Sequence, residues 1–399
     1  MTALFISWKS IISKPLSSAL SVLLIAFGTG ILTLLLLASH QVDEKLNKNS
    51  KDIDLVVGAK GSPLQLILSS IYYIDFPTGN IPYKEVLPIM KSPFVKRAVP
   101  LALGDNYKGI RIVGTDSNFV ALYDLKIDQG KFWTENYEAT IGSAVAKQNN
   151  LKIGDTFEGA HGLTTEKDKH AENPYKIVGI LKESGNVTDN LILTDVASVW
   201  KMHGDHDEEH AAEESDNLDD KELTSVLIQY RSPMSVVMFP AMVNATTNMQ
   251  SASPAMESTR LFSLIGVGVD TLQWFAYLVM AIAVISVFVN LYNSLKERSY
   301  DLAIMRTLGA SRAKLFWIVI LEGLILAIIG TFIGLVLGHT ALELIGSYQE
   351  QSQAKLTGKL FLNKELYLIL AGLAIGFVAS LIPSIQAYRA NISKTLSKN

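Results

Sequence analysis

The chain has 399 residues, of which 49% are hydrophobic and 18% charged, with a mean hydropathy of +0.26, a formal net charge of -3 and no cysteine. These values exclude a disordered chain and a disulfide scaffold, and the segregation of apolar residues into long blocks excludes an ordinary soluble enzyme. Four nearly uncharged stretches are each long enough to cross a bilayer core, which takes about 20 apolar residues. They are residues 15–39, 271–295, 315–337 and 366–388.

The distribution of basic residues predicts how the chain is oriented. The first stretch is longer than the apolar core of a signal peptide, which favours a retained span. Lysine and arginine in short flanking loops stay on the cytoplasmic side. With the N-terminus inside, the inside segments hold ten basic and two acidic residues, whereas residues 41–265 hold 22 basic and 31 acidic residues. We therefore expect residues 41–265 to lie outside the membrane.

Three regions follow in chain order. They are a cytoplasmic N-terminus with the first transmembrane helix at 1–40, an exported domain at 41–265, and transmembrane helices 2–4 at 266–399. The exported region is large enough to bury its own core.

Short elements of both kinds are predicted within the exported domain. Residues 141–150 read as a helix that leads into a turn at 152–155, and the apolar run 64–74 is too short to span a bilayer and is expected to pack in the core. Three β-branched runs bounded by turn residues predict strands. They are residues 107–114, 175–181 and 190–194. Mixed α and β structure is the expected class.

An acidic segment at 203–220 contains almost no apolar residues and is expected to be a flexible loop. It contains His203, His206 and His210 among carboxylates, residue types that bind zinc or copper. His206 and His210 have the i, i+4 spacing of a zincin motif, but Asp207 stands where that motif needs glutamate. A metal-binding sensor or accessory module for zinc or copper homeostasis is therefore the alternative function, with a solvated acidic loop as the simpler interpretation.

The loop at 294–314, between the second and third spans, is the most informative segment. Apolar residues around Leu302 predict a short amphipathic helix that Gly309 ends, and Ser311 is well placed to cap the next helix. A short helix held between two spans is suited to docking into a partner and passing motion to the membrane. A loop that is merely basic because it faces the cytoplasm is the other interpretation.

Within the spans, Glu322 is a lone carboxylate, which costs about 2.5 to 3.5 kcal/mol in a membrane helix. We expect it to face the bundle, a partner helix or water, or to be protonated. Small residues recur at four-residue spacing and predict close helix packing. They are Gly330, Gly334 and Gly338 in the third span, and Gly372 and Gly376 in the fourth.

Residues 293–323 are similar to the conserved cytoplasmic loop of the MacB/FtsX-like, or type VII, family of ABC transporter permeases. The matching residues are Glu297, Arg298, Asp301, Leu302, Ile304, Arg306, Gly309, Ala310, Ser311, Glu322 and Gly323. The exported domain resembles the periplasmic domain of that family at 112–116, 125–130, 141–142, 151–157 and 176–180, and the tail at Pro383, Ala387, Arg389 and Ala390 also fits. The similarity thus covers nearly the whole chain.

The resemblance implies a multi-pass protein of the bacterial inner membrane with four transmembrane helices. A large α+β domain of the MacB periplasmic type is inserted between helices 1 and 2. It implies coupling to an ATPase through Glu297, Arg298, Asp301, Leu302, Arg306, Gly309 and Ser311, so that ATP hydrolysis drives conformational change in the periplasm.

The sequence contains no G-x-x-x-x-G-K-[ST] pattern, and only 14 residues precede the first span. We therefore expect a non-catalytic subunit, with ATP and magnesium bound by a separate cytoplasmic ATPase. The other expected partners are a second permease in a homodimer or heterodimer, membrane lipid, and a periplasmic adaptor or binding protein, with no nucleic acid.

Overall fold

A computed structural model describes residues 3–161, 173–204, 221–348 and 356–389. The chain forms two compact units. A membrane unit comprises residues 1–42 and 265–399, and an inserted domain comprises residues 43–264.

Twelve α-helices lie in the described residues. They are α1 (Ala3–Ser13), α2 (Pro15–Asn49), α3 (Pro63–Ser70), α4 (Tyr83–Met90), α5 (Ser117–Leu122), α6 (Ser143–Asn149), α7 (Val196–Gly204), α8 (Ser235–Thr246), α9 (Pro254–Glu297), α10 (Ser299–Thr307), α11 (Arg312–Tyr348) and α12 (Glu365–Arg389).

The described part of the inserted domain contains thirteen strands. They are β1 (Leu55–Ala59), β2 (Ile81–Pro82), β3 (Val95–Tyr107), β4 (Ile110–Thr115), β5 (Ile127–Gly130), β6 (Glu138–Ile141), β7 (Thr156–Phe157), β8 (Ala160–His161), β9 (Tyr175–Leu181), β10 (Ile192–Asp195), β11 (Glu222–Leu223), β12 (Ser225–Tyr230) and β13 (Met249–Ala252).

Eleven of these strands form one mixed sheet with the order β13-β1-β12-β3-β4-β10-β6-β9-β5, in which β7 pairs with β9 and β8 with β3. Strands β10 and β4 run parallel, as do β6 and β9. Successive side chains of a strand point to opposite faces, so a central strand can contribute to two cores. In β12, Leu227 packs in one core with Ile67 of α3, and Val226 packs in the other with Phe239 of α8.

One predicted strand is wrong in its bounds. Residues 107–114 form a hairpin, because Tyr107 ends β3 and Ile110 opens β4 as its partner across two residues. Lys108 and Gly109 have φ values of +51° and +81°, as a two-residue type I′ turn requires. The β-branched composition of 107–114 masked this turn.

The other predicted elements are present with small shifts. Strand β9 has the predicted bounds, and β10 begins two residues later than expected. The predicted helix at 141–150 is α6, which Asn150 ends in the left-handed conformation with φ +52°. Helix α3 occupies most of the apolar run at 64–74 and buries Leu66 and Ile67 in the domain core.

Four described helices, α2, α9, α11 and α12, are long and apolar enough to cross a membrane. The chain is thus a membrane protein with four transmembrane helices and an α+β domain between the first and the second. Helix α11 packs closely on α2 through its glycines. A Cβ atom on Gly334 would lie 2.6 Å from the carbonyl oxygen of Ala26, and one on Gly338 would lie 2.6 Å from Cβ of Thr33.

The glycine contacts predict a strong size limit at Gly334. We expect Gly334→Leu to lower the melting temperature of the full chain in detergent, because overpacking a helix contact costs about 1 to 3 kcal/mol or more. Gly268→Leu is the matched control, since a Cβ on Gly268 in α9 would meet nothing within 4 Å. Equal melting temperatures for the two variants would contradict this packing.

Candidate coupling site at the helix between the second and third spans

Helix α10 is fixed to the membrane unit by its buried face. Leu302 and Ala303 are 7% and 5% exposed. Leu302 belongs to a cluster that also contains Leu315 and Ile318 of α11 and Ala387 of α12. Because a buried leucine contributes about 1.5 to 3 kcal/mol, this contact ties α10 to the adjoining ends of the spans.

A sharp turn joins α10 to α11. Gly309 has φ +98°, a conformation that side chains with a Cβ atom rarely adopt, and its N–H donates to the Arg306 carbonyl oxygen at 3.1 Å. Ser311 then caps α11, because its Oγ accepts from the N–H of Lys314 at 3.2 Å. The two residues together set where α10 stops and α11 starts.

The opposite face of α10 carries an exposed apolar stripe. Tyr300, Ile304 and Leu308 are 45%, 38% and 83% exposed. Their four-residue spacing places them on one side of the helix. The stripe therefore offers apolar surface to a partner, most of all at Leu308.

The two charged side chains of α10 lie in different environments. Asp301 is exposed in the first turn of α10, where a carboxylate interacts favourably with the helix dipole. Arg306 is half-buried, and its Nε and Nη1 atoms are buried without a hydrogen-bond partner. A buried N–H without an acceptor is costly, so these two nitrogens of Arg306 can each bind an additional acceptor.

Helix α1 was missed by the sequence analysis, which treated the residues before the first span as an N-terminal segment. Ser7 donates from Oγ to the carbonyl oxygen of Ile318 in α11 at 2.8 Å, and Ser10 donates from Oγ to Oε1 of Glu322. The signal was present in the sequence, since two serines three residues apart in an apolar segment define one face of a helix.

Glu322 is therefore paired within the membrane unit. It is 6% exposed, accepts from Ser10, and is acted on by the positive charges of Arg298 and Lys14. Lys14 also forms an ion pair with Glu297 at 2.6 Å. These contacts connect the end of α9, the link between α1 and α2, and α11 around one carboxylate.

Further polar pairs continue from this carboxylate along the contact of α2 with α9. Ser17 donates to Oδ1 of Asn290 at 2.9 Å, and the hydroxyls of Ser21 and Ser286 lie 3.1 Å apart. Polar side chains in a membrane helix are satisfied in this way by neighbouring helices.

The metal site at His203, His206 and His210 stays a prediction. The side chain of His203 and all of His206 and His210 lie outside the described residues. Across the described ranges no group of three or more histidine, cysteine, aspartate or glutamate residues could hold a metal ion. The alternative of a metal-binding module gains no support.

Comparison with known families covers both units. Residues 18–251, more than half of the chain, match the MacB-like periplasmic core domain, and residues 274–392 match the FtsX-like permease C-terminal domain. The chain belongs to the MacB/FtsX-like family of ABC transporter permeases. The resemblance carried by the loop at 294–314 and by the inserted domain is thereby confirmed.

Several relatives of this permease have been found. It is 22% identical over 98% of its length to an uncharacterized ABC transporter permease protein of Mycobacterium tuberculosis, of which it spans 44%. It is 23% identical over 77% of its length to the lipoprotein-releasing system transmembrane protein LolE of Haemophilus influenzae, covering 77% of that protein. The periplasmic region of MacB from Actinobacillus actinomycetemcomitans matches with a TM-score of 0.33 and 10% identity, covering 54% of this chain and 97% of that one.

The pairing of Glu322 predicts a measurable coupling energy. We expect Ser10→Ala to destabilise the permease by about 1 to 3 kcal/mol, because it leaves a buried carboxylate oxygen without its donor. The same change should matter less in a Glu322→Leu background, where the acceptor is gone. Unfolding of the full chain in detergent measures both effects.

Ser263→Ala is the control for this cycle, since Ser263 is exposed and donates only to the carbonyl oxygen of Arg260 in its own turn. The pairing of Ser10 with Glu322 would be contradicted if Ser10→Ala lowered the free energy of unfolding no more than Ser263→Ala does. It would also be contradicted if the loss caused by Ser10→Ala were the same in the Glu322→Leu background.

Proposed function

We propose that this permease is the membrane subunit of an ABC transporter in which a separate cytoplasmic ATPase binds helix α10 and drives conformational change in the inserted domain. The single observation that carries the proposal is the two-faced character of α10. One face is buried in the spans through Leu302, and the other presents Tyr300, Ile304 and Leu308 to a partner.

The contacts around α10 provide a route for motion into the membrane. A partner that displaces α10 pushes Leu302 against α11 and α12, since a closely packed cluster transmits displacement. The ion pair of Glu297 with Lys14 passes the same motion from the end of α9 to the start of α2. All four spans are thus linked to one short helix, which suits mechanical transmission.

In this proposal ATP and magnesium are bound by the partner subunit, and the chain itself is non-catalytic. Its location is the bacterial inner membrane, with the inserted domain in the periplasm and α10 in the cytoplasm, which agrees with the excess of basic residues near α10. The transporter exports or extracts a substrate. A periplasmic adaptor or binding protein is a further partner.

A second permease chain is the proposed partner within the membrane. The most apolar stretches of α9 and α12 are only 28% and 33% buried, compared with 56% for α2 and α11. Helices α9 and α12 therefore offer the surface for a homodimer or heterodimer, with membrane lipid covering the remainder.

Docking through the stripe predicts that Leu308→Asp weakens binding of the ATPase. Removing one leucine contact of about 1.5 to 3 kcal/mol corresponds to a roughly 10- to 150-fold loss of affinity. We expect Arg306→Ala to weaken it as well. Binding is measured between the purified permease and the ATPase encoded beside it, in detergent.

Val237→Asp is the matched control, because Val237 is 79% exposed on α8 of the inserted domain and should not touch the ATPase. Normal ATPase binding by Leu308→Asp, or an equal loss with Val237→Asp, would reject α10 as the docking element.

A further inference from the structure

A cleft of about 760 Å³ lies between α1 and the turn that joins α10 to α11. Its walls come from four parts of the membrane unit. They are Phe5 and Lys9 of α1, Arg298 at the end of α9, Met305 and Leu308 at α10, and Lys314 of α11. It shares Leu308 with the stripe of α10, whose Tyr300 and Ile304 do not line it.

The cleft is strongly cationic. Lys9, Arg298 and Lys314 line it, and no acidic residue does. Neither Lys9 nor Lys314 has an acidic side chain within 4.0 Å in the described part of the chain. The amino terminus of α11 also lies in the lining at Ser311, and its dipole adds positive potential. The complementary ligand is an anion. Lysine and arginine side chains form strong charge-assisted hydrogen bonds with phosphate, so a phosphate group suits this cleft.

Most of the remaining lining is apolar, and a small soluble anion would make no use of these apolar side chains. Phe5, Met305 and Leu308 face the same space as the three cations. A ligand that matches both parts carries a phosphate attached to a hydrocarbon portion. This combination favours a phospholipid over inorganic phosphate and over an acidic peptide.

The surroundings of the cleft have the character of a membrane interface. Trp8 of α1 and Trp317 of α11 are 46% and 53% exposed, and exposed tryptophans mark the headgroup level of transmembrane proteins. Helix α1 buries Ser7 and Ser10 against the spans and exposes Leu4 and Ile12, at 61% and 58%. An exposed apolar face on a short helix beside the spans is typical of a helix that lies in the interface.

We propose that the cleft between α1 and the α10–α11 turn binds the headgroup phosphate of an anionic phospholipid through Lys9, Arg298 and Lys314. The acyl chains extend past Phe5 along the apolar face of α1. A lipid bound there contacts α1 and the turn after α10 at once, so it stabilises the position of α10. The site goes beyond the proposed coupling and does not depend on an ATPase.

The test is native mass spectrometry of the purified full chain in mild detergent, titrated with phosphatidylglycerol or with phosphatidylcholine of the same acyl chains. Each cation near a lipid phosphate contributes about 1 kcal/mol, or about 5-fold in affinity. We expect preferential binding of phosphatidylglycerol, and a loss of about 30-fold in the double variant Lys9→Ala/Lys314→Ala.

Two further variants act as controls. Lys296→Ala removes a charge from the same end of α9, but Lys296 lies over the Tyr292 ring, 4.7 Å from its centroid, and does not line the cleft, so lipid binding should be unchanged. Lys9→Arg/Lys314→Arg keeps both charges and should retain binding. A double alanine variant with an unchanged melting temperature shows that the loss is local.

Three outcomes would overturn the proposal. The first is equal binding of both lipids by the unmodified chain. The second is displacement of phosphatidylglycerol by an equal concentration of inorganic phosphate, which would identify a soluble anion as the ligand. The third is unchanged lipid binding by the double alanine variant; if that variant also binds the ATPase more weakly, the cleft is a protein docking surface.

Discussion

The close approach of α11 to its neighbours is the constraint on which the rest of the membrane unit depends. Between helices in a bilayer there is no hydrophobic driving force, so association requires close van der Waals packing and polar contacts. Three glycines of α11 provide the close packing against α2. A Cβ atom on Gly330, Gly334 or Gly338 would lie less than 3 Å from an atom of Ile25, Ala26 or Thr33, respectively. Helix α11 is consequently the central helix against which the other helices of the membrane unit pack.

The polar contacts around Glu322 complete this arrangement at one end of α11. Ser10 binds the carboxylate directly, and Ser7 binds the carbonyl oxygen of Ile318 one turn earlier, so α1 is held against α11 by two hydrogen bonds. Leu302 fixes α10 to the same part of α11. In the proposed function, a force applied to the exposed stripe of α10 therefore reaches the core of the membrane unit through residues already in contact.

The four spans were predictable from the sequence because hydropathy is local and the bilayer sets a minimum length. Strand β9 was predictable because a short β-branched run between turn residues is also a local signal. The hairpin turn at Lys108 and Gly109 was not predictable, because β-branched residues near it suggest one continuous strand. The positive φ values that form the turn leave no clear signal in the sequence. Sheet order depends on pairing between distant strands, such as β1 with β12, which no local pattern specifies. At the candidate site, Gly309 and Ser311 were readable as turn and cap residues, whereas α1 and the role of Ser10 depend on a contact with α11 far along the chain.

The central claim is that α10 faces the compartment opposite to the inserted domain, where an ATPase can bind it. The chain has no cysteine, so single cysteines report position without background. Thr307→Cys on α10 and Lys176→Cys on β9 introduce thiols at two exposed positions. In spheroplasts, a membrane-impermeant maleimide should label Lys176→Cys at once and Thr307→Cys only after the membrane is opened. Labelling of Thr307→Cys in intact spheroplasts would contradict the account.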